Sequence, residues 1–184
     1  MQKLPVAAAI AVVFAASATA QAAEWTVNTD SSSVGFAAEQ QGSRFNGRFQ
    51  TFSATIDFDP ADPASGSVVG SVVTDSVNTR DHDRDAALTD RDWFDSANHP
   101  EASFESESIT ALDDGSYEAA GNMTLKGTTK PMTMTFTFET GDAGATFAGT
   151  MSIDRFDFGV GDGWNDTSWV GQIVDVEIEL ALSQ

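Results

Sequence analysis

From Glu24 onward the chain reads as short segments in which apolar and polar residues alternate. The clearest is 174–182, with Val174, Val176, Ile178, Leu180 and Leu182 on one face and Asp175, Glu177 and Glu179 on the other. Met132, Met134, Phe136 and Phe138 alternate with Thr133, Thr135 and Thr137 in the same way. A period of two sends successive side chains to opposite faces of a strand, so each segment predicts a half-buried β-strand. Weaker alternation predicts strands at 25–28, 33–39, 45–58 (bent or broken near Thr51), 67–75, 102–111, 117–125 and 146–153. Turn residues separate them, as in Gln41-Gly-Ser43, Asp113-Asp-Gly115 and Gly141-Asp-Ala-Gly144. Many strands joined by hairpin-length turns predict one all-β domain, either a sandwich or a closed barrel.

One stretch breaks the pattern. Residues 78–100 hold both histidines, His82 and His99, amid aspartates and arginines. Thr79 predicts a cap for a short helix running to about Leu88. Thr89 with Asp92 resembles a capping pair that starts a second turn over Trp93 and Phe94. The domain therefore carries one short helical insertion near its middle.

Residues 1–23 change the picture of where the chain works. Lys3, an apolar run over 6–16 and the small residues Ala18-Thr-Ala20 predict a cleavable export leader, cut within 20–23. The apolar run is too short to span a bilayer. A domain over 24–184, exported to the periplasm and soluble there, is the expectation. The chain has no cysteine, which excludes disulfides, thiol chemistry and lipid attachment through a cysteine. It carries 28 acidic against nine basic residues, net −19, and loss of Lys3 adds one more negative charge. Such a field repels nucleic acid and anionic headgroups, and it suits high external salt. Thirteen Phe and four Trp against a single Tyr, Tyr117, supply hydrocarbon rather than hydroxyl handles, for a core or for an apolar ligand.

The charged stretch offers little chemistry. Asp81, Asp83, Asp85 and Asp92 follow calcium-loop spacing. However, Ala86 stands where the loop needs glycine, and Asp92 is shorter than the usual bidentate glutamate. His82 and His99 lack compact ligand spacing. No G-x-S-x-G elbow or glycine-rich phosphate loop occurs. No catalytic residue and no metal ligand is assigned, and an enzyme is not expected. A metal-dependent enzyme or calcium-binding protein using 78–100 stays as an alternative. A small outer-membrane β-barrel is another, though one Tyr leaves little for aromatic girdles.

A wider pattern joins these pieces. Ser76-Val-Asn-Thr-Arg-Asp81, Arg84-Asp-Ala-Ala-Leu88, Asp92-Trp-Phe-Asp95, His99-Pro100 and Ser103-Phe104 resemble the central signature of the YceI-like family. Phe45-Asn-Gly-Arg-Phe49, Asp57-Phe-Asp-Pro60, Gly121-Asn-Met-Thr-Leu-Lys-Gly127 with Lys130-Pro131, and Ile153-Asp-Arg-Phe-Asp-Phe-Gly159 resemble its flanking strands. One departure is visible: Gln40, Gln41 and Arg44 stand where relatives often carry a histidine. The resemblance implies an exported, antiparallel, lipocalin-like β-barrel of about eight strands, with an apolar tunnel that holds a polyisoprenoid lipid. It makes 78–100 an architectural connection, with Leu88, Trp93 and Phe94 as anchors and Arg80, Asp81, Arg84 and Asp85 setting its shape.

Alternation then nominates the tunnel lining. Candidates are Phe36, Phe45, Phe49, Phe104, Met123, Leu125 and Met132, followed by Met134, Phe136, Phe138, Met151, Val174 and Val176. Arg48, Arg155, Trp164 and Trp169 are candidates for the tunnel mouth or a headgroup contact. No cofactor is required; the bound group is the lipid itself, an isoprenoid quinone or another prenyl derivative. The expected partner is thus an apolar lipid, with no nucleic acid and no stable membrane insertion, and a homodimer is left open.

Overall fold

The last strand pairs with the first, and that closure organises the molecule. The computed structural model describes residues 24–184; the leader read at 1–23 lies outside the described residues. The strands are β1 Glu24–Gln40, β2 Ser43–Phe49, β3 Phe52–Asp57, β4 Ser67–Val73, β5 Val77–Asn78, β6 Glu101–Ala111, β7 Tyr117–Leu125, β8 Thr128–Gly141, β9 Gly144–Asp154 and β10 Ile173–Ser183. A single α-helix, α1 at His82–Thr89, stands among these described elements. The sheet order β10-β9-β8-β7-β6-β4-β3-β1, with β10 also bonded to β1, makes a closed antiparallel barrel of eight strands. The two short remaining strands, β2 and β5, extend the wall beyond the ring, β2 along the end of β1.

β1 is longer than the alternation implied. The segments at 25–28 and 33–39 form one strand, with a register irregularity between Asn28 and Ser33. Ser32 bridges the irregular stretch: its Oγ donates to the Asn28 carbonyl at 2.6 Å and accepts the Ala181 N–H at 2.9 Å. A hydroxyl carries the ladder there, so the apolar pattern lapses without ending the strand. The segment at 45–58 does divide, into β2 and β3.

The period of two becomes inside and outside. Along β8 and β9, Met134, Phe136, Phe138, Phe147, Met151 and Ile153 are buried, while Thr133, Thr135, Thr137 and Thr150 are exposed. Glu177 and Glu179 face out from β10. An outer-membrane barrel needs the inverse, an apolar band outside a polar interior, so that alternative does not fit.

One end of the barrel is solid. Phe58 meets Tyr117, Phe136 and Phe138 with ring centroids 4.8, 5.3 and 5.0 Å apart. Trp25 lies edge-on to Phe138 at 5.4 Å, and its Nε1–H donates to the Phe58 carbonyl at 3.0 Å. Edge-to-face pairs of this kind add about 0.5–1.5 kcal/mol each beyond the burial of their area.

The other end is covered by the 79–100 connection and the 159–171 loop. Asp81, not Thr79, caps α1, its Oδ1 accepting the Arg84 N–H at 3.1 Å. Arg80 has φ 63°, and this reversal separates Thr79 from the helix. Thr79 is buried and donates from both N–H and Oγ1 to Asp85 Oδ1, at 2.7 and 2.6 Å. The capping pair read at Thr89 and Asp92 does not form. Thr89 Oγ1 bonds backward to the Ala86 carbonyl at 2.8 Å, and irregular turns carry the chain on to His99.

Candidate functional site

Between the aromatic end and the covered end the interior is hollow. The cavity measures ≈ 170 Å³, similar to the ~150 Å³ apolar cavity known to stay dry and take up benzene. Its room comes from small residues: Ala38, Ala54, Gly70 and Ala102 all stand on its wall. Phe36, Phe45 and Phe49 on β1 and β2 pack ring to ring at 5.7–6.2 Å from Phe36, and Phe49 reaches Phe94 of the connection at 5.9 Å. The Phe36 ring lies where a side chain at Gly47 would stand, so this position of the ring needs glycine at residue 47.

Ten of the nominated residues stand on this wall: Phe36, Phe45, Phe49, Phe104, Met123, Leu125, Met134, Met151, Val174 and Val176. Three do not. Phe136 and Phe138 point inward as expected but lie further along β8, inside the aromatic end. Met132 is half-buried, packs against the core and does not line the cavity. The wall also includes residues that were not nominated. Val34, Ala38, Ile153, Ile178 and Leu180 continue the alternation of neighbours that were. Leu88 comes from α1, and Trp93, Phe94, Val160 and Val170 come from irregular segments without a period.

The four mouth candidates take different places. Arg48 alternates with the inward Phe45 and Phe49 and is exposed on the outer face. Arg155 is 2 % exposed and meets neither solvent nor a carboxylate within ion-pair distance. Its Nε donates to the Gly171 carbonyl at 2.9 Å, and Nη1 to those of Val160 and Gly161 at 3.0 and 3.2 Å. Nη2 donates to the carbonyls of Trp164 and Val170. A guanidinium has five N–H donors, and all five are spent on the 159–171 loop. Burial lowers the Arg155 pKa, with Asp154 and Asp162 acting in the opposite sense; the group stays charged. Gly161, at φ 73°, leaves the space this requires, since a Cβ there would fall 2.6 Å from Nη1. Trp164 and Trp169 are exposed on this loop and do not line the cavity; Trp164 packs on Trp93, which does, at 6.2 Å. The Ser168 hydroxyl and N–H both donate to Asp166 Oδ1, which lowers the Asp166 pKa.

The two coverings are sewn together. Lys126 Nζ donates to the carbonyls of Asp92 and Gly159 at 2.9 and 2.6 Å, and the Gly161 N–H donates to the Asp92 carbonyl at 2.7 Å. Arg84 donates to Thr79 Oγ1 and to Gln40 Oε1, at 2.9 and 3.0 Å, with its guanidinium 4.1 Å from the Phe45 ring centroid. Asp81, Arg84 and Asp85 are thus engaged in shaping the connection, while Arg80 is exposed. His82 is exposed on α1; His99 is half-buried, its ring against Gly127 and its Nε2 3.9 Å from Asp95 Oδ2. Among the described residues, no three His, Asp or Glu side chains stand where they could share a metal ion.

A closed antiparallel barrel with an apolar cavity, capped by a helical connection, defines the class. The YceI-like domain pattern matches residues 25–182, and the chain belongs to that family. A UPF0312 protein of Vibrio cholerae is 31% identical over 169 residues, covering 87% of this chain and 89% of the relative. The crystal structure of Burkholderia cenocepacia BcnA superposes with TM-score 0.82 at 31% identity, over 86% of this chain and all of BcnA. A polyisoprenoid binding domain from Saccharophagus degradans, implicated in plant cell wall breakdown, shares the fold at TM-score 0.66 and 14% identity, over 88% of this chain and 98% of that one.

Proposed function

We propose that the protein holds the chain of a polyisoprenoid lipid, a quinone or another prenyl derivative, inside its barrel. On this reading it works in the periplasm after export, in transport, storage or sequestration, and it binds rather than catalyses. The observation that carries the reading is the cavity wall: it is apolar except for Ser53, Ser71, Ser103, the Trp93 indole N–H and the spent guanidinium of Arg155. Such a wall rewards apolar area and asks for few polar contacts. Burial contributes about 0.8 kcal/mol per CH2, so each five-carbon unit adds roughly 4 kcal/mol before association costs. The polyisoprenoid-binding neighbour of the same fold supports the choice of lipid.

The cavity volume adds a condition. A void of ≈ 170 Å³ is below the ~300–1,000 Å³ of ordinary small-molecule pockets. A long prenyl tail therefore requires lining side chains to swing aside. Met123, Met134 and Met151 stand on the wall, and unbranched thioether side chains move at low cost. Titration of lipid-stripped protein with prenyl alcohols of increasing length tests the reading. Saturable binding that strengthens with chain length supports it; no binding at micromolar concentration defeats it.

A further inference from the structure

We infer that the cavity takes isoprenoids whose polar end is neutral and rejects those whose head is an ionised phosphate or diphosphate. This rests on the lipid-binding reading above and narrows the ligand it names. The charged lining residue is Arg155, and its five donors are already held by backbone carbonyls. Its guanidinium also packs 4.1 Å from the Phe156 ring centroid.

A diphosphate entering this cavity would lose its water and find no free cationic N–H to replace it; the Trp93 indole on the wall offers a single neutral donor. Phosphate oxygens are held in proteins by charge-assisted, frequently bidentate, hydrogen bonds, and an uncompensated ion in an apolar site is strongly disfavoured. The neighbouring cations do not supply the missing donors. Arg84 is bonded to Thr79 and Gln40, and Lys126 to the carbonyls of Asp92 and Gly159. Arg48 faces outward. The long-range field has the same sign of effect, since a chain of net charge −19 repels a polyanion on approach. A hydroxyl or quinone carbonyl carries a much smaller desolvation cost and can remain at the wet rim.

The test is a matched pair on lipid-stripped protein, farnesol against farnesyl diphosphate, by competition for a bound fluorescent apolar probe at neutral pH. The chain length is the same, so cavity size cancels. Farnesol binding at least tenfold tighter is expected. Equal or tighter binding of the diphosphate overturns the inference while leaving lipid binding intact; displacement by neither ligand defeats both. The variant Val170→Arg supplies the missing element, a guanidinium with free donors at the cavity wall, on a flexible stem that can keep its charge near water. It is expected to shift the preference between the two ligands at least tenfold toward the diphosphate. An unchanged ratio would show that the lack of free donors is not what excludes the charged head.

Discussion

At one end of the barrel Trp25, Phe58, Tyr117, Phe136 and Phe138 touch ring to ring. At the other, Ala38, Ala54, Gly70 and Ala102 stand where rings would fill the space. Both ends obey the same alternation, and β8 runs through both, contributing Met134 to the cavity and Phe136 and Phe138 to the solid cluster. Period two decides only which side of the wall a residue takes. Side-chain volume then decides whether the inside is structure or space, so the solid core and the cavity lie at opposite ends of one sheet.

The comparison can be broken from either end. Phe58 is fully buried, and Phe58→Ala is expected to cost about 3–5 kcal/mol, the range for emptying a core aromatic site. Urea denaturation measures this, and ligand affinity of the folded fraction should be unchanged. Arg155→Ala comes next, at about 2–4 kcal/mol, because the carbonyls of the buried Val160 and Gly161 lose charge-assisted partners. Hydrogen exchange should localise that loss to 159–171 and leave the aromatic end protected.

Smaller effects sharpen the contrast. Ala102→Phe puts a ring into the hollow end, with an overpacking cost of about 1–3 kcal/mol. Prenyl binding should fall at least tenfold while the barrel stays folded by circular dichroism. Replacing Met123 and Met151 together with Ile keeps the wall apolar but stiffens it, since β-branched side chains have restricted χ1. The expected loss is about 1 kcal/mol, roughly fivefold in Kd, for long prenyl chains, and little for short ones, by the same titration.

Much of this architecture was legible in the residues because alternation is local. The strands over 117–125 and 174–182 and the inward face of β2 follow from single runs of sequence. Depth along the barrel axis is not local. Met134, Phe136 and Phe138 share a face, and only the closed ring shows that the first lines the cavity, as Ala102 and Gly70 do, while the others meet Phe58. The setting of Arg155, a candidate for the mouth or a headgroup contact, was hidden for the same reason. Its partners are main-chain carbonyls of a loop that returns to it, and carbonyls have no sequence signature. Thr79 shows the limit of capping rules, since one reversed residue, Arg80 at φ 63°, moved the cap to Asp81.

The central claim is that the hollow end holds a neutral isoprenoid. Native mass spectrometry of the protein purified without detergent from cells that produce it, followed by solvent extraction and identification of what is released, tests this most directly. The account predicts an apolar mass of prenyl type, bearing no phosphate, at close to one per chain. Protein at its bare polypeptide mass after gentle handling, or a released prenyl diphosphate, would contradict it.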